Sequence, residues 1–144
     1  ISKIFIHTNK KIFVTTSNFL KYNKNIKFHF DVFNGDGLLD KAIDVVDGTD
    51  QKDFKNFVKN EYSFNRENLF FCKSKTIIEK YFKSIFDWLE ECEKVFGLKS
   101  TNKYGTQRRY NFLFERYLSY WFEKYSKVGF NPWIYYDLTK NKIE

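Results

Sequence analysis

The segment from Arg108 to Trp121 carries the side chains whose types and spacing best suit chemistry. Projected at about 100° per residue, as in an α-helix, four polar residues fall close to one line: Arg108, Asn111, Glu115 and Ser119. A carboxylate at the edge of an apolar face can serve as a general base, because partial burial raises the pKa of a carboxyl group. A planar guanidinium suits bidentate contact with phosphate or carboxylate. We therefore predict Glu115 as the catalytic residue, with Arg108, Asn111 and Ser119 as substrate-binding residues.

A structural interpretation of these residues stays open beside the functional one. Glu115 could instead pair with Arg108, or with a backbone group, and so anchor the helix. Four charged residues fall on the side of the helix that we predict to face water: Arg109, Arg116, Glu123 and Lys127. The sequence alone does not separate the two interpretations of Glu115.

Other polar residues give no pattern typical of a metal or catalytic centre. Aspartates are frequent from position 31 to 53, but they lack the spacing and terminal glutamate of a calcium loop. They fit turns and helix ends. His7 and His29 are isolated in the sequence, and we interpret both as structural. We predict no metal ligand in this chain.

The composition predicts one folded domain with an aromatic core. The 144 residues fit a single domain, and 22% of them are aromatic. A buried aromatic side chain removes about 150–250 Å² from water. Disordered segments are poor in such residues. We expect residues 1–144 to form one domain.

The charge and the cysteines limit the partners and the compartment. The net charge of +7 would suit nucleic acid, an anionic membrane surface or a phosphorylated substrate. Basic residues are dispersed among acidic ones without a nucleic-acid-binding motif, so we expect no nucleic-acid partner. Cys72 and Cys92 lack metal or disulfide spacing and suit buried thiols in a reducing cytoplasm. We predict a cytoplasmic protein and keep peripheral association with the inner membrane as an alternative.

Hydrophobic periodicity predicts alternating strands and helices. Strands are predicted at Ile4–Ile6 and Ile12–Val14, with a helix end followed by a strand as the alternative for this pair. A fully buried strand is predicted at Asn68–Cys72 and a final strand at 129–136. Helices are predicted at Gly37–Val46, after a cap at Thr49, from a cap near Thr76 to Gly97, and from Thr106 to Ser126. The polar stretch Ser17–Lys27 indicates a loop. This order of elements predicts a mixed, layered α/β fold.

Two of the predicted helices and one strand carry a recognisable pattern. The last helix matches R-x-F-G-F-L-A-E-R-L-L followed by tryptophan, at Arg108, Tyr110, Phe112, Leu113, Glu115, Arg116, Leu118 and Trp121. The preceding helix matches an aromatic-rich pattern at Tyr81, Ile85, Trp88, Leu89 and Glu91. The stretch 67–70 corresponds to a YNMF-like strand. Over about residues 28–136 the chain thus resembles a family of bacterial glycosyltransferases found in capsule and exopolysaccharide gene clusters.

The resemblance implies a fold and a reaction. Such enzymes are expected to have a GT-A-like fold and to transfer a sugar from a nucleotide sugar to a glycan acceptor, in some cases with a divalent metal. The resemblance also makes Asn68 a substrate-binding candidate. The chain has no Asp-x-Asp motif and no methionine, so we expect it to be the C-terminal part of the enzyme, without the half that binds the sugar nucleotide. The alternatives are a non-catalytic interaction or scaffold domain and a basic nucleic-acid-binding module.

Overall fold

Helices make up most of the structure. The computed structural model describes residues 3–6, 24–65, 68, 70–98, 104–130, 136–137 and 142–143. Within these ranges the helices are α1 Ile26–Asn34, α2 Leu38–Asp44, α3 Asp50–Asn60, α4 Lys75–Phe96, α5 Tyr104–Gln107 and α6 Arg109–Tyr125. None of these helices is long and apolar enough to cross a lipid bilayer.

The strands are short and form one small sheet and one ribbon. Strands β1 Lys3–Ile6, β2 Phe70–Cys72 and β3 Lys127–Phe130 pair in the order β2-β1-β3. The pairing of β1 is antiparallel with β2 and parallel with β3. Strands β4 Tyr136–Asp137 and β5 Lys142–Ile143 form an antiparallel ribbon. The structure supports the predicted α/β class only in part, because the described chain is mainly helical.

The long helix α4 begins and ends where local chemistry requires. Ser74, with an extended backbone, accepts a hydrogen bond at Oγ from the N–H of Ile77 at 3.4 Å and caps the helix. The predicted cap at Thr76 lies two residues too late. The helix stops at Gly97, as predicted, where φ is +65° and glycine is favoured. Its buried stripe consists of Tyr81, Ile85, Trp88 and Cys92.

Helix α6 is the central element of the core. Phe112, Leu113 and every residue from Glu115 to Phe122 are buried, on all sides of the helix. Such a helix must be enclosed by neighbours, and α6 contacts α1, α3, α4 and β3. The ring of Tyr117 stacks on Trp88 of α4 with centroids 4.7 Å apart. The predicted single helix from Thr106 is in fact two, since the backbone turns at Arg108 between α5 and α6.

Helix α1 was not predicted, because the polar composition before it indicated a loop. Asn25 accepts a hydrogen bond at Oδ1 from the N–H of Phe28 at 2.9 Å and starts the helix. Ile26 and Phe30, four residues apart, then bury one face. The predicted loop Ser17–Lys27 is therefore wrong at its last two residues.

Four other predictions have different outcomes. The helix predicted at 37–46 is confirmed as α2. Helix α3 follows Thr49 as predicted, but Thr49 has helical backbone angles and its side chain makes no capping hydrogen bond. Strand β2 is not fully buried, since Phe71 is 54% exposed. The predicted strand Ile12–Val14 lies outside the described residues.

Candidate functional site

A buried ion pair on α6 lies at the centre of the candidate site. Glu115 is 6% exposed and Arg116 is 0% exposed. Arg116 Nη1 donates to Glu115 Oε2 at 2.7 Å and to the carbonyl oxygen of Phe112 at 3.1 Å. The guanidinium also lies 4.2 Å from the ring centroid of Phe64. Buried charges persist only when they are paired and hydrogen-bonded, so these contacts fix both side chains.

Two asparagines extend the hydrogen bonding from this pair. Asn111 Nδ2 donates to Glu115 Oε1 at 3.3 Å. Asn68 Nδ2 donates to Asn111 Oδ1 at 3.1 Å, across 43 positions of sequence. The structure thus brings together three of the five predicted site residues. Asn111 and Glu115 meet because they are four apart on one helix. Asn68 joins them from the segment just before β2.

On its other side, the ion pair reaches a histidine of α1. Arg116 Nη2 lies 2.7 Å from His29 Nδ1. A guanidinium can only donate, so Nδ1 accepts, and the ring is neutral with its proton on Nε2. Arg116 was predicted to face water, and this prediction is wrong. His29 was interpreted as structural, and its contact with Arg116 agrees with that interpretation. Helical projection could not reveal the burial of Arg116, because its neighbours His29 and Phe64 belong to distant segments.

Ser119 and Arg108 take different places from the other candidates. Ser119 is buried, and its Oγ accepts from the N–H of Asn65 at 2.7 Å and lies 3.4 Å from the carbonyl oxygen of Glu115. The hydroxyl is thus engaged within the protein, which gives no support to its predicted contact with substrate. Arg108 is exposed at the turn before α6, with its guanidinium carbon 5.9 Å from the ring centroid of Phe112.

A groove of about 470 Å³ borders the two asparagines. Its walls are mostly aromatic and come from α4, α6 and the segment around β2: Asn68, Phe70, Phe82, Leu89, Tyr110, Asn111 and Phe114. The volume lies in the range of small-molecule sites. Tyr110 is held in place by its hydroxyl, which donates to the carbonyl oxygen of Gly97 at 2.7 Å. Glu115 does not line this groove and reaches it only through Asn111.

Asn68 is an unusual residue in backbone and side chain. Its φ is +54°, the left-handed region that asparagine tolerates better than most residues. Its Oδ1 is buried and has no hydrogen-bond partner within the described part of the chain. Strained backbone and unsatisfied polar atoms cluster at functional sites in proteins. Neither feature can be recognised in the sequence. There, Asn68 became a candidate only because the stretch 67–70 resembles the YNMF-like strand of the glycosyltransferase family.

The comparison with protein families covers this whole arrangement. A family model described as a domain of unknown function, DUF4422, matches residues 2–127. The chain belongs to the DUF4422 family. The matched region includes both asparagines, the ion pair and every residue that lines the groove. No curated protein and no solved structure is significantly similar to the chain.

A second and larger cavity of this DUF4422 domain lies on the opposite face of α4. It measures about 920 Å³ and is bordered by the turn between α2 and α3, by α4 and by α6. Its charged lining residues are Asp44, Asp47, Asp50, Lys80, Lys83, Asp87 and Glu91. Within the ranges that the structure describes, no group of three or more His, Cys, Asp or Glu side chains could hold a metal ion.

The best-connected acid of this cavity is Asp50 in the first turn of α3. Its Oδ1 accepts hydrogen bonds from Lys124 Nζ and Tyr125 Oη, each at 2.6 Å. Partial burial would raise the pKa of Asp50, but these hydrogen bonds outweigh burial and hold it below its usual value. Lys124 also contacts Asp53 at 2.6 Å. These contacts fasten the start of α3 to the end of α6, which is a structural role.

Proposed function

We propose that this DUF4422 domain is the acceptor-binding, C-terminal part of a bacterial glycosyltransferase that builds a surface polysaccharide. The observation that carries the proposal is the groove in which two hydrogen-bonded asparagines lie among aromatic side chains. The resemblance of α4 and α6 to capsule and exopolysaccharide glycosyltransferases supports the same function. In this proposal the helices and the small sheet correspond to part of a GT-A-like fold, and the donor is a nucleotide sugar.

The lining of the groove suits a carbohydrate for two physical reasons. Sugar rings present apolar C–H faces, which pack against aromatic side chains such as Phe82 and Phe114. Their hydroxyl groups both donate and accept hydrogen bonds, and an asparagine amide offers both functions in one plane. A mostly apolar site with a few fixed polar groups combines binding with orientation.

Glu115 acts as a positioning residue in this proposal. Its carboxylate contacts Asn111 and Arg116 and does not border the groove. The catalytic role predicted for Glu115 therefore gains no support from the geometry, whereas the anchoring interpretation does. Arg108 is exposed at the start of α6 and remains the candidate for contact with the diphosphate of the donor.

The proposed acceptor is a glycan at the cytoplasmic side of the inner membrane. The net charge of +7 favours approach to an anionic lipid surface, where electrostatic attraction acts within about 8–10 Å at physiological salt. Peripheral association of this kind needs no membrane-spanning helix.

Saturation-transfer NMR on the 144-residue chain tests the proposal. We expect transfer to methyl pyranosides and short oligosaccharides, and a loss of signal in Asn111→Ala and Phe82→Ala. Asn56→Ala, an exposed asparagine of α3, is the matched control and should retain the signal. Circular dichroism of each variant checks that the helices remain folded.

The same experiment separates the alternatives. If the folded chain shows no transfer to any saccharide or nucleotide sugar, the glycosyltransferase proposal is wrong and a non-catalytic interaction domain is favoured. A gel shift with nucleic acid that persists at about 0.15 M salt would instead favour the basic nucleic-acid-binding module.

A further inference from the structure

The charges of Glu115 and Arg116 determine which atom donates and which accepts in each hydrogen bond between this pair and Asn68. A guanidinium only donates and a carboxylate only accepts. Asn111 therefore turns its Nδ2 towards Glu115 and is left with Oδ1 facing Asn68. Asn68 gives its own Nδ2 to that oxygen. The series that begins at a buried cation thus ends in an acceptor, Asn68 Oδ1.

The amide of Asn68 cannot reverse to relieve its unpaired oxygen. A reversed amide would place Asn68 Oδ1 against Asn111 Oδ1, two acceptors at hydrogen-bond distance. A reversed Asn111 would in turn place its oxygen against the carboxylate of Glu115. The unpaired buried acceptor on Asn68 is therefore a consequence of the ion pair two residues away in the series.

Asn68 lines the groove, although its Oδ1 is buried in the unbound chain. A φ of +54° costs free energy for a residue other than glycine, and the surrounding structure must offset that cost. The side chain borders a groove whose other polar side chains are Asn111 and Tyr110. The amide of Asn111 and the hydroxyl of Tyr110 are already engaged within the protein. Asn68 Oδ1 thus differs from these two groups, because among the described residues it is an acceptor without a partner that a ligand could use.

We infer that the sugar bound in the groove donates a hydroxyl hydrogen bond to Asn68 Oδ1, and that this bond selects the sugars that bind. The inference rests on the proposed function and names the chemistry that its acceptor site requires. A hydroxyl group rotates its hydrogen towards an acceptor, whereas a carboxylate or phosphate oxygen has no hydrogen to give. Because the oxygen is shielded in the unbound chain, the Asn68 side chain must move when the sugar binds.

Monodeoxyfluoro sugars test this requirement directly, since fluorine replaces a hydroxyl group at similar size but cannot donate. The probes are the methyl α-glycosides of D-glucose, D-galactose and D-mannose, each with its set of monodeoxyfluoro derivatives. For the glycoside that binds, we expect one fluorinated position to weaken binding to the wild-type chain by about tenfold or more. The Asn68 side-chain amide resonances should shift with the parent glycoside and not with that derivative.

Asn68→Gly is the informative variant, because glycine keeps the left-handed backbone while it removes the amide. We expect it to bind the parent glycoside about tenfold more weakly and to lose the discrimination against the fluorinated position. Glu115→Gln tests whether the carboxylate of Glu115 sets the direction of these hydrogen bonds. A glutamine can present either end of its amide to Asn111, so discrimination should weaken in this variant.

The outcomes distinguish this inference from the proposed function. If glycosides bind and every fluorinated derivative binds as well as its parent, the hydroxyl requirement is wrong while the proposed function stands. Equal discrimination in the wild type and in Asn68→Gly would also overturn it. If no glycoside binds to the folded wild-type chain, the proposed function fails, and the inference fails with it.

Discussion

Arg116 Nη2 and His29 Nδ1 lie 2.7 Å apart, although the two residues are 87 positions apart in the sequence. On its other side the same guanidinium holds Glu115, so a single buried cation ties helix α1 to the acid of helix α6. Asn111 donates a hydrogen bond to this acid, and Asn68 donates one to Asn111, so the acid sets the orientation of both asparagines of the groove. The geometry of the proposed site therefore depends on Arg116. This residue does not line the groove and acts on it through Glu115 and Asn111.

Removal of Arg116 should destabilise the domain strongly. Arg116→Met leaves the carboxylate of Glu115 buried without its cation, and we expect a loss of about 3–5 kcal/mol in the free energy of unfolding. Urea denaturation followed by circular dichroism measures it. Lys83→Met is the control, because Lys83 forms an ion pair with Asp87 on the surface, and we expect little change in stability.

The double variant Glu115→Leu/Arg116→Met completes this test. Because it removes both buried charges, it should recover most of the stability that Arg116→Met loses. A double variant that is less stable than either single variant would show that the pair stabilises the fold in its own right. The double variant should also abolish the proposed saccharide binding, since Asn111 loses the carboxylate that accepts its hydrogen bond.

The two cysteines should differ in reactivity. Burial raises the pKa of the Cys92 thiol to about 12, and Cys92 is fully buried, whereas Cys72 is only partly buried. With a thiol reagent such as DTNB at pH 8, we expect one cysteine to react in the native chain and both in urea. Cys72→Ser should leave a native chain without a fast-reacting thiol. If both thiols react with DTNB at the same rate in the native chain, the described packing of α4 is contradicted.

Gly105 marks a close approach between α5 and the end of α1. A Cβ added at this position would lie 1.7 Å from the carbonyl oxygen of Phe33, so the backbone itself has to move. We expect Gly105→Ala to cost about 3 kcal/mol or more, as a lowered melting temperature. Gly48→Ala is the control: its Cβ would meet no atom within 4 Å, and only its φ of +56° opposes it, at about 1–2 kcal/mol.

Asp50 should make the domain more stable at neutral than at acidic pH. Its pKa is lower in the folded chain than in the unfolded one, so the unfolded state binds the proton first as the pH falls. The contribution is present above the unfolded value of about 3.9 and is lost as the pH falls through the folded one. Asp50→Asn should therefore melt below the wild type at pH 7, and the difference should shrink below pH 4. A difference that does not change between these pH values would contradict the contacts with Lys124 and Tyr125.

The sequence predicted the elements whose signals are local. Gly97 ends α4 as predicted, whereas its capping residue, Ser74, lies two positions before the predicted Thr76. The common face of Asn111 and Glu115 follows from helical periodicity alone. The helix predicted at 37–46 likewise agrees with α2.

The features that failed depend on contacts between distant segments. Arg116 lies about 100° from Glu115 around α6, and nothing in its own segment indicates that His29 and Phe64 would enclose it. Helix α1 was missed because the polar stretch before it indicated a loop that extended into its first turn. The left-handed backbone of Asn68 has no counterpart in local composition.

The two walls of the groove differ in how freely they can change during evolution. The α6 wall belongs to a helix that is enclosed on nearly every side, so a substitution there disturbs the hydrophobic core as well as the ligand. The α4 wall presents Phe82, which is 37% exposed, so a substitution at that position disturbs the buried core less. Under the proposed function, family members that bind different sugars should therefore vary at the position of Phe82 and keep Asn111, so that diversification of specificity leaves folding intact.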